Sequence, residues 1–101
     1  MADPAFQALA EPRRRAMLRL VRDEPRSVNE IAAHFDITQQ AVSQHLQVLR
    51  EAGLVAVRRD GQRRLYAVRP EGLESIRDFL AEFWPAKLGD LKRAVESRER
   101  D

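Results

Sequence analysis

Apolar positions along this chain follow two periods, and the change from one to the other divides it. Up to Gly53 they recur every three or four residues, as one buried helix face requires. Asp3-Pro4 sets a capping residue before a proline at the first helical position, opening a short helix through Leu9. Pro12 opens a second helix with Met17, Leu18 and Val21 as its inward stripe. Ser27-Val28-Asn29-Glu30 has the spacing of a capping box, in which Ser27 and Glu30 satisfy each other's free backbone donors. The helix it starts carries Val28, Ile31, Ala32 and Phe35 on one side. Asp36-Ile37 makes a tight connection, and Thr38 caps a longer helix with Val42, Leu46 and Leu49 inward. That helix is expected to run to about Ala52 and stop at Gly53.

Beyond Gly53 the period becomes two. Leu54-Val55-Ala56-Val57 and Leu65-Tyr66-Ala67-Val68 read as short strands, with an Asp60-Gly61 turn signal between them. The connecting residues from Arg58 to Arg64 give this hairpin an arginine-rich tip. Pro70 begins a C-terminal helix with Leu73, Ile76, Phe79, Leu80 and Phe83 as its apolar positions. Pro85 is expected to break or kink it, since proline lacks the backbone donor. A last helical stretch carries Leu88, Leu91 and Val95 into a charged tail. The order helix, helix, helix-turn-helix, hairpin, helix is a mainly α fold with a small β-hairpin, a winged helix-turn-helix. One domain over residues 1–101 is expected, with the helix-turn-helix at 27–53, the wing at 54–69 and a C-terminal helical region at 70–97.

Composition narrows the function classes. A chain of 101 residues buries a limited share of its surface, which favours sharing apolar area with a second copy. Cysteine is absent, so disulfides, thiolate ligands and thiol redox chemistry are excluded. No apolar run approaches the ~20 residues that span a bilayer, and Met1-Ala2-Asp3-Pro4 does not begin a signal peptide. A cytoplasmic protein is expected. The net charge of +2 divides into +4 over residues 1–69 and −2 over residues 70–101. Arg58, Arg59, Arg63, Arg64 and Arg69 stand against Asp60 alone, a concentrated basic patch of the kind nucleic-acid binders carry.

The Thr38 helix supplies the candidate reading surface. With Val42, Leu46 and Leu49 turned inward, its outward face carries Gln39, Gln40, Ser43 and Gln44. A merely solvated face would be rich in Lys and Glu, whereas this one has no charge between Thr38 and Gln47. Glutamine pairs bidentately with adenine in the major groove. Arg58, Arg59, Arg63 and Arg64 are placed to neutralise phosphates or enter a minor groove, the alternative being a solubilising tip that blocks strand pairing. Strand alternation implies that some of them point away from DNA.

The remaining chemistry has plainer readings. Arg14 leans toward the Met17-Leu18 face, where an ion pair is favoured over a phosphate contact. His34 is read as a helix C-terminal or packing residue. His45 has two even readings, a phosphate contact or a packing role inside the recognition helix. Glu74, Asp78 and Glu82 form a carboxylate stripe better read as a solvated face than as a cation site. Trp84, with Phe79 and Phe83, is read as core or dimer-interface packing before an effector pocket. Neither a Gly-rich phosphate loop nor a His beside a nucleophile and carboxylate is present, so no catalysis, metal or cofactor is expected.

Several segments resemble one family closely. Phe6-Gln7-Ala8-Leu9-Ala10-Glu11-Pro12-Arg13-Arg14-Arg15 and Ser27-Val28-Asn29-Glu30-Ile31-Ala32 are similar to the opening of ArsR-type (ArsR/SmtB) repressors. The most specific parts are Gln40-Ala41-Val42-Ser43-Gln44-His45-Leu46 and Val48-Leu49-Arg50-Glu51-Ala52-Gly53-Leu54-Val55, continued by Gly61-Gln62-Arg63-Arg64-Leu65-Tyr66. The resemblance spans about residues 4–95. It implies a homodimeric repressor of double-stranded DNA, reading an inverted repeat through Gln39, Gln40, Ser43 and Gln44, and Thr38 and His45 on the same helix are DNA-binding candidates beside them. It also implies a dimer interface of the first and last helices, here Phe6, Leu9, Phe79, Phe83, Trp84, Leu88 and Leu91. Metal-sensing members carry a cysteine pair on the third helix or His and carboxylate ligands on the last. Here the third helix reads Asn29-Glu30-Ile31-Ala32-Ala33-His34-Phe35 and the last has no histidine. The resemblance is thus to the metal-independent branch, whose members often repress their own operon. No small-molecule effector is assigned by it.

Overall fold

Helix starts in this protein are written by side chains that accept from backbone donors. In the computed structural model, which describes residues 3–84, α1 (Pro4–Leu9) opens where the Asp3 carboxylate accepts from the Ala5 N–H at 2.8 Å. α2 (Pro12–Leu20) opens the same way, with the Glu11 carboxylate accepting from the Arg13 N–H. α3 (Val28–Ala32) carries the full capping box: the Glu30 N–H donates to the Ser27 hydroxyl, and the Ser27 N–H donates to the Glu30 carboxylate. α4 (Gln39–Glu51) is capped by the Thr38 hydroxyl, which accepts from the Ala41 N–H at 3.0 Å.

The end of α4 is equally explicit. Gly53 takes φ 78°, a conformation that costs any residue with a Cβ about 1–2 kcal/mol. Its N–H donates to the Arg50 carbonyl, and the Leu54 N–H donates to the Leu49 carbonyl. This is the Schellman pattern, and its apolar partners Leu49 and Leu54 are both fully buried. The chain therefore leaves α4 in a fixed direction and enters the hairpin.

Strands β1 (Val55–Asp60) and β2 (Arg63–Val68) pair antiparallel, with Val55 opposite Val68 and Asp60 opposite Arg63. The strands are longer than the apolar runs alone predict. Gly61, at φ 64°, and Gln62 complete the turn in two residues, so pairing continues through the arginines. Arg58, Arg59, Arg63 and Arg64 accordingly sit on the ladder rather than in a flexible tip. Arg26 adds one bridging residue to the other edge of β2, exchanging both backbone hydrogen bonds with Tyr66. A 3-10 turn (Pro70–Leu73) then leads into α5 (Glu74–Ala81). The expected helical stretch around Leu88, Leu91 and Val95, and the break at Pro85, lie outside the described residues.

The core sits where α1, α2, α3, α4 and the root of the hairpin meet. Ala5, Ala8, Met17, Val21, Ile31, Val42, Leu46, Leu49, Leu54 and Val55 are all buried. Each large member removed from water contributes about 1.5–3 kcal/mol. The stripes on α2 and α4 face one another across it, so the opposite face of α4 is left to solvent.

Candidate nucleic-acid interface

The outer face of α4 is open where the sequence places its reading residues. Gln40, Ser43 and Gln44 are exposed, and among the described residues none of the three side chains is hydrogen-bonded. Thr38 and Gln39 stand differently. The Thr38 hydroxyl oxygen is already used as a cap, and Gln39 Nε2 donates to Asn29 Oδ1 at 2.8 Å, tying α4 to α3. The Gln39 bond ties the start of α4 to α3, while Gln40 and Gln44 keep amides without a hydrogen bond among the described residues. Such amides offer donor and acceptor side by side, the pattern that matches adenine in a major groove.

His45 is half-buried on α4, with its Nδ1 3.3 Å from Arg14 Nη1. Arg14 Nε also donates to the Ala8 carbonyl at 2.6 Å, and Nη2 to the Gln7 carbonyl at 3.3 Å. The ion pair expected for Arg14 is therefore replaced by bonds to main-chain carbonyls. The reason is local: α1 ends at Leu9, leaving its last carbonyls without helical partners, and a guanidinium is the donor that reaches several at once. The packing reading of His45 gains a concrete partner in this contact.

The register divides the wing arginines by face. Arg59 lies directly opposite Arg64, on the side shared with Val55, Val57, Tyr66 and Val68, whereas Arg58 shares the other side with Arg63. Arg63 is held by the Glu30 carboxylate of α3. Arg58, Arg59 and Arg64 are exposed and have no carboxylate partner among the described residues. Like charges directly opposite on a ladder repel, and the Arg59–Arg64 pair concentrates positive charge on one face of the wing. Glu30 is held below the usual carboxylate range, first by the Ser27 N–H, then by the Ser27 hydroxyl, with the Arg63 and Arg26 charges adding to it. Glu30 thus stays ionised and keeps hold of Arg63.

A second exposed surface joins α1 and α5. Phe6 of α1 meets Phe79 of α5 edge-on at 5.3 Å, and Phe79 meets Phe83 at 5.0 Å. These rings are 36%, 45% and 71% exposed, and Leu80 beside them is 40% exposed. Exposed apolar rings in mutual contact are a feature that association surfaces share. Leu9 and Trp84 are half-buried, and Leu88 and Leu91 lie outside the described residues. Glu74, Asp78 and Glu82 are exposed on α5, and Asp78 pairs with Arg77. Among the described residues no three metal-ligating side chains cluster.

Sequence reasoning missed the bridge at Arg26, the carbonyl-capping role of Arg14 and the Asn29–Gln39 bond. None has a periodic signature, because each depends on how two separate elements approach one another.

Comparison with known proteins places this arrangement. Residues 9–58 match a helix-turn-helix domain family. The chain is 39% identical over 99 residues to the HTH-type transcriptional regulator Rv2034 of Mycobacterium tuberculosis, covering 98% of this chain and 92% of the relative. It is 30% identical over 78 residues to the transcriptional repressor SdpR of Bacillus subtilis, covering 77% and 87%. Among solved structures it is similar to the homodimeric winged helix-turn-helix DNA-binding domain Mb0332 of Mycobacterium bovis, a possible ArsR-family regulator. That match has a TM-score of 0.65 at 30% identity and covers 79% of this chain and 74% of the other. With the residues of its helix-turn-helix and wing, these matches show that the chain belongs to the ArsR/SmtB family of winged helix-turn-helix transcriptional regulators.

Proposed function

We propose that this regulator is a homodimeric repressor that reads an inverted-repeat operator in double-stranded DNA, independently of metal. The observation that carries the reading is the uncharged Gln40-Ser43-Gln44 face of α4 beside a wing whose Arg59 and Arg64 have no acidic partner among the described residues. In this reading the amides enter the major groove while Arg59 and Arg64 neutralise phosphates at its edge. Thr38, Gln39 and His45 position the helix, Arg63 positions the wing, and Arg58 adds positive charge. Phe6, Phe79, Phe83 and Trp84, with Leu9, Leu88 and Leu91, form the dimer interface. Two-fold symmetry then sets the half-sites roughly 10 bp apart, or a multiple of it. Homodimerisation draws support from the Mb0332 assembly, repression from SdpR, and metal independence from a sequence with no cysteine and no histidine after His45.

The test is titration of a fluorescent duplex from upstream of the protein's own gene, across a salt series with random duplex as competitor. The reading expects competitor-resistant binding at two protomers per site. Equal affinity for both duplexes at every salt concentration overturns sequence-specific reading of that site, and with it autoregulation.

A further inference from the structure

We propose that a shallow apolar groove behind α2 binds a small amphipathic carboxylate, with Arg19 as its principal anchor, and that this ligand regulates DNA binding. The floor of the groove is Leu9, Leu18, Val68 and Leu73, and its volume is about 290 Å³. The lining is almost wholly apolar, including the aliphatic stems of the three arginines that frame it.

Those arginines are Arg15, Arg19 and Arg22, spaced along one edge of α2 and its C-terminal turn. Arg15 is already positioned: its Nη1 donates to the Leu9 carbonyl at 2.7 Å and the Ala10 carbonyl at 3.3 Å. Arg22 leans on the neighbouring Asp23. Arg19 has no hydrogen bond or ion pair among the described residues, yet it stands between two like charges. Three cations around an apolar floor are complementary to an apolar tail with an anionic head, and the guanidinium fork matches a carboxylate. The chain's own residues after Trp84 are a poor match, since they carry five Lys or Arg against four Asp or Glu. Nucleic acid is a poor match as well, because it has no apolar tail for the four-residue floor.

The groove also touches the parts that matter for regulation. It joins the end of α1, the α2 helix, the root of the wing at Val68 and the turn that leads into α5. An occupant therefore bears on both the aromatic ladder and the wing. This last step rests on the DNA-binding reading; the ligand site itself does not.

Calorimetric titration of the full chain with decanoate, below its micelle concentration, tests the site without DNA. One decanoate per protomer is expected, with a dissociation constant on the order of 0.1 mM for a ligand of about a dozen heavy atoms. Decanamide, equal in length and uncharged, and the variant Arg19→Gln should each weaken binding about tenfold, as loss of a charge-assisted bond does. Arg58→Gln, which removes one charge from the wing, should leave it unchanged. Lack of saturable binding up to about 1 mM overturns the proposal, and so does equal binding by decanamide or by Arg19→Gln. Decanoate should then lower affinity for the operator duplex. If it binds but leaves that affinity unchanged, the regulatory step is overturned and the site stands. If the protein binds no DNA at all, the calorimetry still decides the site.

Discussion

Arg14 joins the end of α1 to the middle of the recognition helix, with Nη1 3.3 Å from His45 Nδ1 and Nε 2.6 Å from the Ala8 carbonyl. A guanidinium only donates, so His45 accepts through Nδ1 and, when neutral, carries its proton on Nε2. The histidine is thereby fixed in one tautomer by a residue from another helix. Arg14→Met should leave the Ala8 carbonyl short of a donor and cost ~1–3 kcal/mol. Urea unfolding measures the loss, and Arg14→Lys should recover only part of it, because an ammonium lacks the planar fork.

Gln40→Ala and Gln44→Ala should each cost about 1–3 kcal/mol of binding to the preferred operator and little on random duplex. Gln39→Ala should behave differently, because that amide is engaged with Asn29. Its effect should appear as a lower melting temperature with a smaller change in discrimination. Competitive titration and thermal unfolding of the three variants separate the two behaviours.

Arg64→Ala should weaken binding to every duplex and flatten the plot of log K against log salt by about one unit for each phosphate that Arg64 neutralises. The Arg63→Ala variant should flatten it less, since Arg63 already holds Glu30. A salt series on both variants checks the ordering.

Acid should loosen the junction between wing and α3. Glu30 is held below its ordinary value, chiefly by the Ser27 N–H. A depressed carboxylate contributes stability that is complete above the unfolded-state value and is lost as pH falls through the folded one. Glu30→Gln should therefore be less stable than the parent at neutral pH, with the difference shrinking as pH drops below the ordinary glutamate range. Unfolding free energies across that range give the comparison.

Gly72→Ala should be among the most damaging single changes outside the core. A methyl group there would overlap the Gly53 carbonyl and crowd the Leu54 backbone. The turn before α5 must then move away from the end of α4, at a cost of ~1–3 kcal/mol, the usual range for forced backbone shifts. A thermal melt reads this directly.

Much of this architecture is legible in the sequence alone, because local rules write it. Ser27 with Glu30, Thr38 and Gly53 each act within five residues of themselves, and the stripe Val42-Leu46-Leu49 repeats at the helical period. The outward placement of Gln40, Ser43 and Gln44 follows from that stripe by geometry alone. What stays hidden depends on approach between distant segments. The Tyr66 bridge rests on a single residue, Arg26, too little for any alternation to register. Gly72 looks like an ordinary turn glycine until Gly53 is seen against it. The strand ends lie beyond the apolar runs because a two-residue turn lets the ladder continue through arginines, which carry no apolar signal.

One oxygen of Glu30 accepts from the Ser27 N–H and also holds Arg63. Start of helix and wing are thus latched at a single atom, and Gln39 carries the same rigidity on to α4. In the proposed reading, these contacts hold the spacing between the bases beneath α4 and the backbone beneath the wing, so an inserted base pair within a half-site should weaken binding.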